Sequence, residues 1–132
     1  MAYNILIVDD SLTVRSMLTK VVNLSNIELG EILTAQNGKE ALDKLHENWI
    51  DLVLTDINMP EMTGMELIKA MNDDSLLKSI PIIVITGDGN RKHMKEIADS
   101  GVSHYLRKPF TPEEVESTLR SVLEVTDERA GN

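Results

Sequence analysis

Acidic, hydroxyl and amino side chains follow the short apolar runs of this chain, at positions Asp9, Asp10, Asp56, Thr86 and Lys108. Apolar runs of this length, alternating with helical patterns, predict buried parallel strands. Ligands of an open parallel sheet bind outside the carboxyl ends of its strands. We therefore expect the three acids, the hydroxyl and the lysine to meet at one edge of a single sheet.

Three carboxylates at one sheet edge call for a cation. Like charges a few ångströms apart either raise a pKa or recruit a metal, and an all-oxygen site with open water positions suits Mg²⁺, with Mn²⁺ as a substitute. The alternative is that Asp9 or Asp10 only caps the first helix, which is the better interpretation of an isolated Asp-Asp-Ser sequence. Asp56 on a neighbouring strand moves the balance towards a metal site.

With a cation beside it, the Asp56 carboxylate could attack a phosphoryl group and become an aspartyl phosphate. Lys108 would neutralise the phosphoryl oxygens, and Thr86 would donate its hydroxyl to one of them. Each residue also has an ordinary explanation. Asp56 could be a turn aspartate, Lys108 a solvated lysine before a proline turn, and Thr86 a β-branched residue that ends a strand. The combination favours phosphoryl chemistry.

Composition limits the class of protein. The chain has 132 residues, of which 42% are hydrophobic, no cysteine, and a formal net charge of -9. This length predicts one domain with a sufficient core, and the acidic balance argues against binding of nucleic acid. No apolar segment is long enough to span a membrane, and no export signal begins the chain, so we expect a cytoplasmic protein.

Strand and helix patterns alternate along the chain, which predicts a doubly wound α/β domain over residues 1–125, followed by a polar C-terminal tail over 126–132. Ser11 is the predicted cap of the first helix, whose apolar face includes Met17. The second strand is predicted over residues 32–35.

Several motifs point to one family: Asp9-Asp10, Asp56 with Asn58-Met59-Pro60 and Gly64, Thr86, and Lys108-Pro109-Phe110. They resemble the CheY-like receiver domain of two-component response regulators over residues 4–125. The resemblance implies the (βα)5 flavodoxin-like fold, a five-stranded parallel sheet with strand order 2-1-3-4-5. It also implies a cis Lys108–Pro109 peptide bond. The order and the cis bond are expectations from the family.

The resemblance also assigns roles. Asp56 is the expected phosphoacceptor, Asp10 and Asp56 bind Mg²⁺ by their side chains, Asn58 binds it by its carbonyl, and Asp9 assists through water. Lys108 and Thr86 then contact the phosphoryl group. Receivers of this kind catalyse their own phosphorylation and dephosphorylation, so we do not expect an enzyme that turns over a free substrate.

In the family, phosphorylation draws Thr86 inward and lets Tyr105 turn from exposed to buried. The expected output face comprises the fourth helix, fifth strand and fifth helix. Tyr105 could instead be an ordinary residue of an amphipathic strand. The resemblance also implies that Asn58 and Asp88 flank the path of a hydrolytic water, so their identity is expected to tune the lifetime of the aspartyl phosphate.

No effector domain follows the last predicted helix, so we expect a monomer that acts by binding, with a histidine kinase as phosphodonor. The expected output partner is a flagellar motor switch protein or a phosphotransfer domain, and a phosphatase is a further candidate partner. The alternatives are a receiver within a phosphorelay and a receiver cut from a larger regulator. A Mg²⁺-dependent phosphatase of the haloacid-dehalogenase type is disfavoured, because Asp9-Asp10-Ser11 lacks the Asp-x-Asp spacing.

Overall fold

The computed structural model describes residues 2–87 and 91–131, and for residues 91–93 and 124–131 it describes the backbone alone. The strands are β1 (Tyr3–Val8), β2 (Leu29–Ala35), β3 (Leu52–Asp56), β4 (Ile82–Thr86) and β5 (His104–Arg107). The helices are α1 (Leu12–Leu24), α2 (Gly38–Glu47), α3 (Gly64–Asn72), α4 (Arg91–Asp99) and α5 (Pro112–Gly131).

The five strands form one sheet in the order β2-β1-β3-β4-β5, and every neighbouring pair is parallel. This confirms the predicted α/β fold and its 2-1-3-4-5 order. Strands β1 and β3 are neighbours, with Val8 paired to Thr55. The carboxyl ends of these two strands therefore bring Asp9 and Asp10 next to Asp56.

Helices cover both faces of the sheet, so alternate residues of one strand enter different cores. In β1, Leu6 and Val8 belong to one apolar cluster, whereas Ile5 and Ile7 belong to the other. Every residue of β3 and β4 is buried. This burial explains why each strand begins as a continuous apolar run, residues 52–54 in β3 and 82–85 in β4, without the alternation of a half-exposed strand.

Side-chain caps begin several helices. The Ser11 hydroxyl accepts the Val14 N–H at 3.3 Å at the start of α1, which confirms the predicted cap. Thr63 and Glu66 form a reciprocal capping box at the start of α3. Within residues 2–87 and 91–131, no helix has both the length and the apolar character that crossing a membrane requires.

Two local predictions need correction. Strand β2 begins at Leu29, three residues earlier than predicted, because Leu29 pairs with Tyr3 across a register shift in β1. Met17, predicted on the buried face of α1, is 43% exposed. The backbone of the predicted tail continues α5 as far as Gly131, since no proline or glycine interrupts residues 113–130. The domain boundary at residue 125 and the polar tail over 126–132 stay predictions.

Candidate functional site

Three carboxylates meet at the carboxyl edge of the sheet, as the sequence predicted. Asp9, Asp10 and Asp56 each offer one oxygen, and these three oxygens lie within 4.8 Å of one another. Asp9 and Asp56 are buried, and Asp10 is exposed. The cluster is therefore open to solvent on the side of Asp10.

Asp9 is fixed in this cluster by contacts on both sides of the chain. Its N–H donates to the Ala35 carbonyl at 3.1 Å, and its carbonyl accepts from Arg15 Nη1 at 2.7 Å. One carboxylate oxygen, Oδ1, accepts the Ser11 N–H at 2.9 Å. Because Ser11 is the cap of α1, the alternative that Asp9 or Asp10 caps this helix is wrong.

The other oxygen of Asp9 is a candidate metal ligand. Asp9 Oδ2 is buried and accepts no hydrogen bond from any described residue, and the Lys108 ammonium lies 3.6 Å away. A buried carboxylate oxygen without a partner is costly. With the oxygens of Asp10 and Asp56 beside it, this oxygen fits a hard cation that prefers oxygen ligands and retains water, which is the preference of Mg²⁺.

Asp56 ends β3 and lies under the same lysine. Its Oδ1 accepts the Ile57 N–H at 2.8 Å, and its Oδ2 lies 3.8 Å from Lys108 Nζ. Burial raises the pKa of Asp56 above 3.8, Lys108 opposes this rise, and the negative charge of Asp9 adds to it. The folded protein therefore makes ionisation of Asp56 harder unless a cation is supplied.

Lys108 reaches the acids from the end of β5, an outer strand of the sheet. It follows β5, its N–H donates to the Thr86 carbonyl at 2.8 Å, and its side chain is 32% exposed. The Lys108–Pro109 bond is cis, as the resemblance implied. Thr86 ends β4 and is buried. The backbone hydrogen bond between Lys108 and Thr86 places the predicted hydroxyl and amino groups at the ends of adjacent strands, on the same edge of the sheet.

The remaining predicted residues lie around this centre. Asn58 is exposed in the loop after Asp56, and Tyr105 is 51% exposed on β5. The exposed Tyr105 matches the state expected before phosphorylation, and its switching role stays a prediction. Asp88, the second position predicted to tune lifetime, lies outside the described residues.

The loop between β3 and α3, residues 57–63, is held close to Asp56. Gly64 donates its N–H to the Ile57 carbonyl at 2.8 Å, and a Cβ atom on Gly64 would lie 2.1 Å from the Asp56 carbonyl oxygen. Position 64 thus requires glycine for close approach of the backbone.

Sequence reasoning missed several residues that support the site. Arg15 binds the Asp9 carbonyl, and Asn37 and Gly38 contact the loop at 57–63. A local sequence pattern does not indicate a contact with a loop that lies 20 or more residues away. The hydrogen bond of Asn37 with Glu61, at a separation of 24 residues, is such a contact.

Comparison with known proteins agrees with this geometry. Residues 5–120 match the model of the response regulator receiver domain. The chain belongs to this receiver family. The receiver is 41% identical over 124 residues to the chemotaxis protein CheY1 of Helicobacter pylori, covering 93% of this chain and 98% of that protein. It is 35% identical over 120 residues to CheY of Pseudomonas aeruginosa, covering 91% of this chain and 95% of that protein.

A solved structure supports the same assignment. The receiver superposes on the chemotaxis response regulator CheY4 of Vibrio cholerae with a TM-score of 0.83 and 34% identity, covering 92% of this chain and 99% of that one. Receiver domains are phosphoacceptors of two-component signalling, and they generally bind Mg²⁺ at an acidic pocket. CheY-like receivers work with histidine kinases and downstream targets.

Proposed function

We propose that this receiver accepts a phosphoryl group on Asp56 from a histidine kinase and then binds an output partner in chemotaxis or motility signalling. One observation carries the proposal. Oxygens of Asp9, Asp10 and Asp56 lie within 4.8 Å of one another, and the Lys108 ammonium is 3.6 Å from Asp9 Oδ2 and 3.8 Å from Asp56 Oδ2. Negative and positive groups thus converge where a phosphoryl group would be held.

In the proposed reaction, an oxygen of the Asp56 carboxylate forms a bond to phosphorus while the bond from phosphorus to the donor nitrogen breaks. The electron pair of the broken bond remains on the donor imidazole. Lys108 neutralises charge on the phosphoryl oxygens, and the Thr86 hydroxyl donates to one of them. Ile57 N–H, already bound to Asp56 Oδ1, orients the carboxylate for attack.

Four residues are proposed to hold Mg²⁺. Asp10 and Asp56 would bind it by their side chains, Asn58 by its carbonyl, and Asp9 through water. Bound there, the ion neutralises charge on the carboxylates and on the transferring phosphoryl group. The lack of a hydrogen-bond partner for Asp9 Oδ2 among the described residues supports this assignment. The raised pKa of Asp56 supports it too, because a cation would restore the ionised nucleophile.

The proposed output is a change on the face formed by α4, β5 and α5. A phosphoryl group at Asp56 would draw Thr86 inward, and Tyr105 would turn into the space that Thr86 leaves. The named chemotaxis relatives favour a motor switch protein over a phosphotransfer domain as the partner. Asn58 and Asp88 are the proposed positions that set the phosphoryl lifetime.

The proposal is tested by intact-mass measurement after incubation with acetyl phosphate and MgCl₂. We expect one phosphoryl adduct on the wild type, and none on Asp56→Asn or in the presence of a chelator. Asp51→Asn is a matched control, since Asp51 lies at the amino end of β3, at the opposite edge of the sheet. An adduct that survives in Asp56→Asn, or no adduct on the wild type, would refute the proposal.

A further inference from the structure

The segment from the end of β2 to the start of α2, residues 35–38, contacts both halves of the proposed phosphorylation site. On one side, the Ala35 carbonyl accepts the Asp9 N–H at 3.1 Å. On the other, the Gly38 N–H donates to the Met62 carbonyl at 3.1 Å, and Asn37 Nδ2 donates to Glu61 Oε2 at 3.3 Å. A segment with no predicted chemical role thus connects the strand end that carries Asp9 to the loop that follows Asp56.

Asn37 serves two elements with one buried side chain. Its Oδ1 caps α2 by accepting the Glu40 N–H at 2.8 Å, and its Nδ2 reaches the Glu61 carboxylate. Capping fixes the orientation of the amide, so the Nδ2 group points at Glu61 without a further loss of side-chain entropy. We call the contacts of Asn37 with Glu61 and of Gly38 with Met62 the loop latch.

The loop side of the latch is strained. Glu61 has a φ of 64°, and the Met62 N–H donates to the Pro60 carbonyl at 2.8 Å, which closes a turn of three residues around Glu61. A positive φ is unfavourable for a residue that has a Cβ atom, and the γ-turn with positive φ is rare. Contacts elsewhere must therefore hold the loop in this shape.

The latch leaves no room between the loop and α2. A Cβ atom on Gly38 would lie 2.7 Å from Met62 Cγ. Glycine at this position lets the Met62 side chain and carbonyl lie directly on the first turn of α2. The loop is thus held at Met62 by α2 and at Ile57 by the Gly64 N–H, with Asn58 between these two points.

We infer that Asn37 is a positioning residue for phosphorylation of Asp56, acting through Glu61 on the loop that carries Asn58. The inference rests on the proposed function, and it adds a residue that touches neither phosphoryl group nor metal. Removal of the latch lets the strained loop relax and displaces Asn58 from the acids. The rate of phosphorylation falls while the fold remains intact.

The test separates the latch from the cap. Asn37→Ser retains a good helix cap but its side chain is too short to reach Glu61. Glu61→Ala breaks the same bond from the other side, and it retains the Cβ atom and hence the backbone strain. Glu61→Gln removes the charge but retains an oxygen that accepts from Asn37, so it is the matched control.

The measurement is the rate of phosphorylation by acetyl phosphate at saturating MgCl₂, followed by intact mass. We expect Asn37→Ser and Glu61→Ala each to slow phosphorylation about twofold to tenfold, the range that the net contribution of one hydrogen bond implies. The double variant should be no slower than the slower single variant, because both changes break one contact. Glu61→Gln should react at the wild-type rate.

Amide exchange of the Gly38 N–H gives a readout that does not depend on phosphorylation. Its exchange should be faster in Asn37→Ser and Glu61→Ala than in Glu61→Gln, while urea unfolding of all three remains cooperative. Equal phosphorylation rates in the wild type and both latch variants would overturn the inference alone. Slowing in Asn37→Ser without slowing in Glu61→Ala would also overturn it, since the cap would then be responsible. A wild type that accepts no phosphoryl group overturns the proposed function and this inference with it.

Discussion

The substitution Asp56→Asn should stabilise the folded protein in the absence of a divalent cation. Asp56 is 7% exposed, and burial raises its pKa, which means that the charged carboxylate is disfavoured in the fold. Asparagine removes this charge and retains an oxygen that can accept the Ile57 N–H. The change should therefore remove the cost of burying the charge, and with it the repulsion from Asp9, without loss of the local hydrogen bond.

The magnitude follows from the distances at the site. Two neighbouring carboxylates offer oxygens within 4.8 Å of the Asp56 oxygen, and the Lys108 ammonium at 3.8 Å offsets one of them. One uncompensated repulsion at this separation corresponds to about 1 kcal/mol with the dielectric constant of water and about 3 kcal/mol with an effective value of about 20. We expect Asp56→Asn to raise the free energy of unfolding by about 1 to 3 kcal/mol.

The pH dependence has a definite sign. The folded state binds the Asp56 proton more tightly than the unfolded chain does. The contribution of this group to the free energy of unfolding is therefore fully present below pH 3.8 and is lost as the pH rises through the folded pKa. The advantage of Asp56→Asn should therefore grow as the pH rises through the folded pKa and disappear in acid.

Urea unfolding followed by far-ultraviolet circular dichroism, with a chelator and little salt, measures this advantage. Trp49 is 80% exposed, so its fluorescence is a poor probe of unfolding. Asp43→Asn, on the exposed side of α2, is the control and should change stability little. If Asp56→Asn is no more stable than the wild type at or above neutral pH, burial of the Asp56 charge beside the other acids is not a significant cost and the reasoning is refuted.

Three further predictions concern other parts of the chain. Gly64→Ala should destabilise the protein in urea by about 2 kcal/mol, because its Cβ would lie 2.1 Å from a backbone oxygen, and an unchanged midpoint would contradict this close approach. Asn4→Ala should cost about 1 to 2 kcal/mol in the same assay without altering phosphorylation, since Asn4 bonds Glu31 N–H and the Trp49 carbonyl at the opposite edge of the sheet. The pKa of Asp74 is lowered chiefly by its hydrogen bond to His46. Asp74 therefore stabilises the fold above pH 3.8, and this contribution is lost as the pH falls through the lowered pKa. Asp74→Asn should accordingly unfold at lower urea than the wild type near neutral pH, and equal midpoints there would contradict the assignment.

The sheet and the convergence of the site residues could be predicted because each depends on a strong local pattern. The fully buried strands β3 and β4 are continuous apolar runs, and the polar residue that follows each run lies at the carboxyl edge by geometry alone. Placement of Asp9 next to Asp56 on neighbouring central strands also required the strand order, which came from the family resemblance.

What could not be predicted depends on contacts between distant segments. Strand β2 extends to Leu29 through pairing with β1, although Gly30 and Glu31 are poor strand formers. Met17 has the spacing of a buried helical residue, yet the sheet leaves it 43% exposed. Asn37 and Glu61 are each compatible with a local turn, and only the fold brings them within 3.3 Å.

The central claim, that Asp56 is the nucleophile, is tested most directly by trapping the acyl phosphate. After incubation with acetyl phosphate and MgCl₂, borohydride reduces an aspartyl phosphate to homoserine, which peptide mass spectrometry locates in the sequence. The account predicts reduction at Asp56 alone, and none when a chelator is present. Reduction at Asp9 or Asp10, or at no residue of a correctly folded protein, would contradict it.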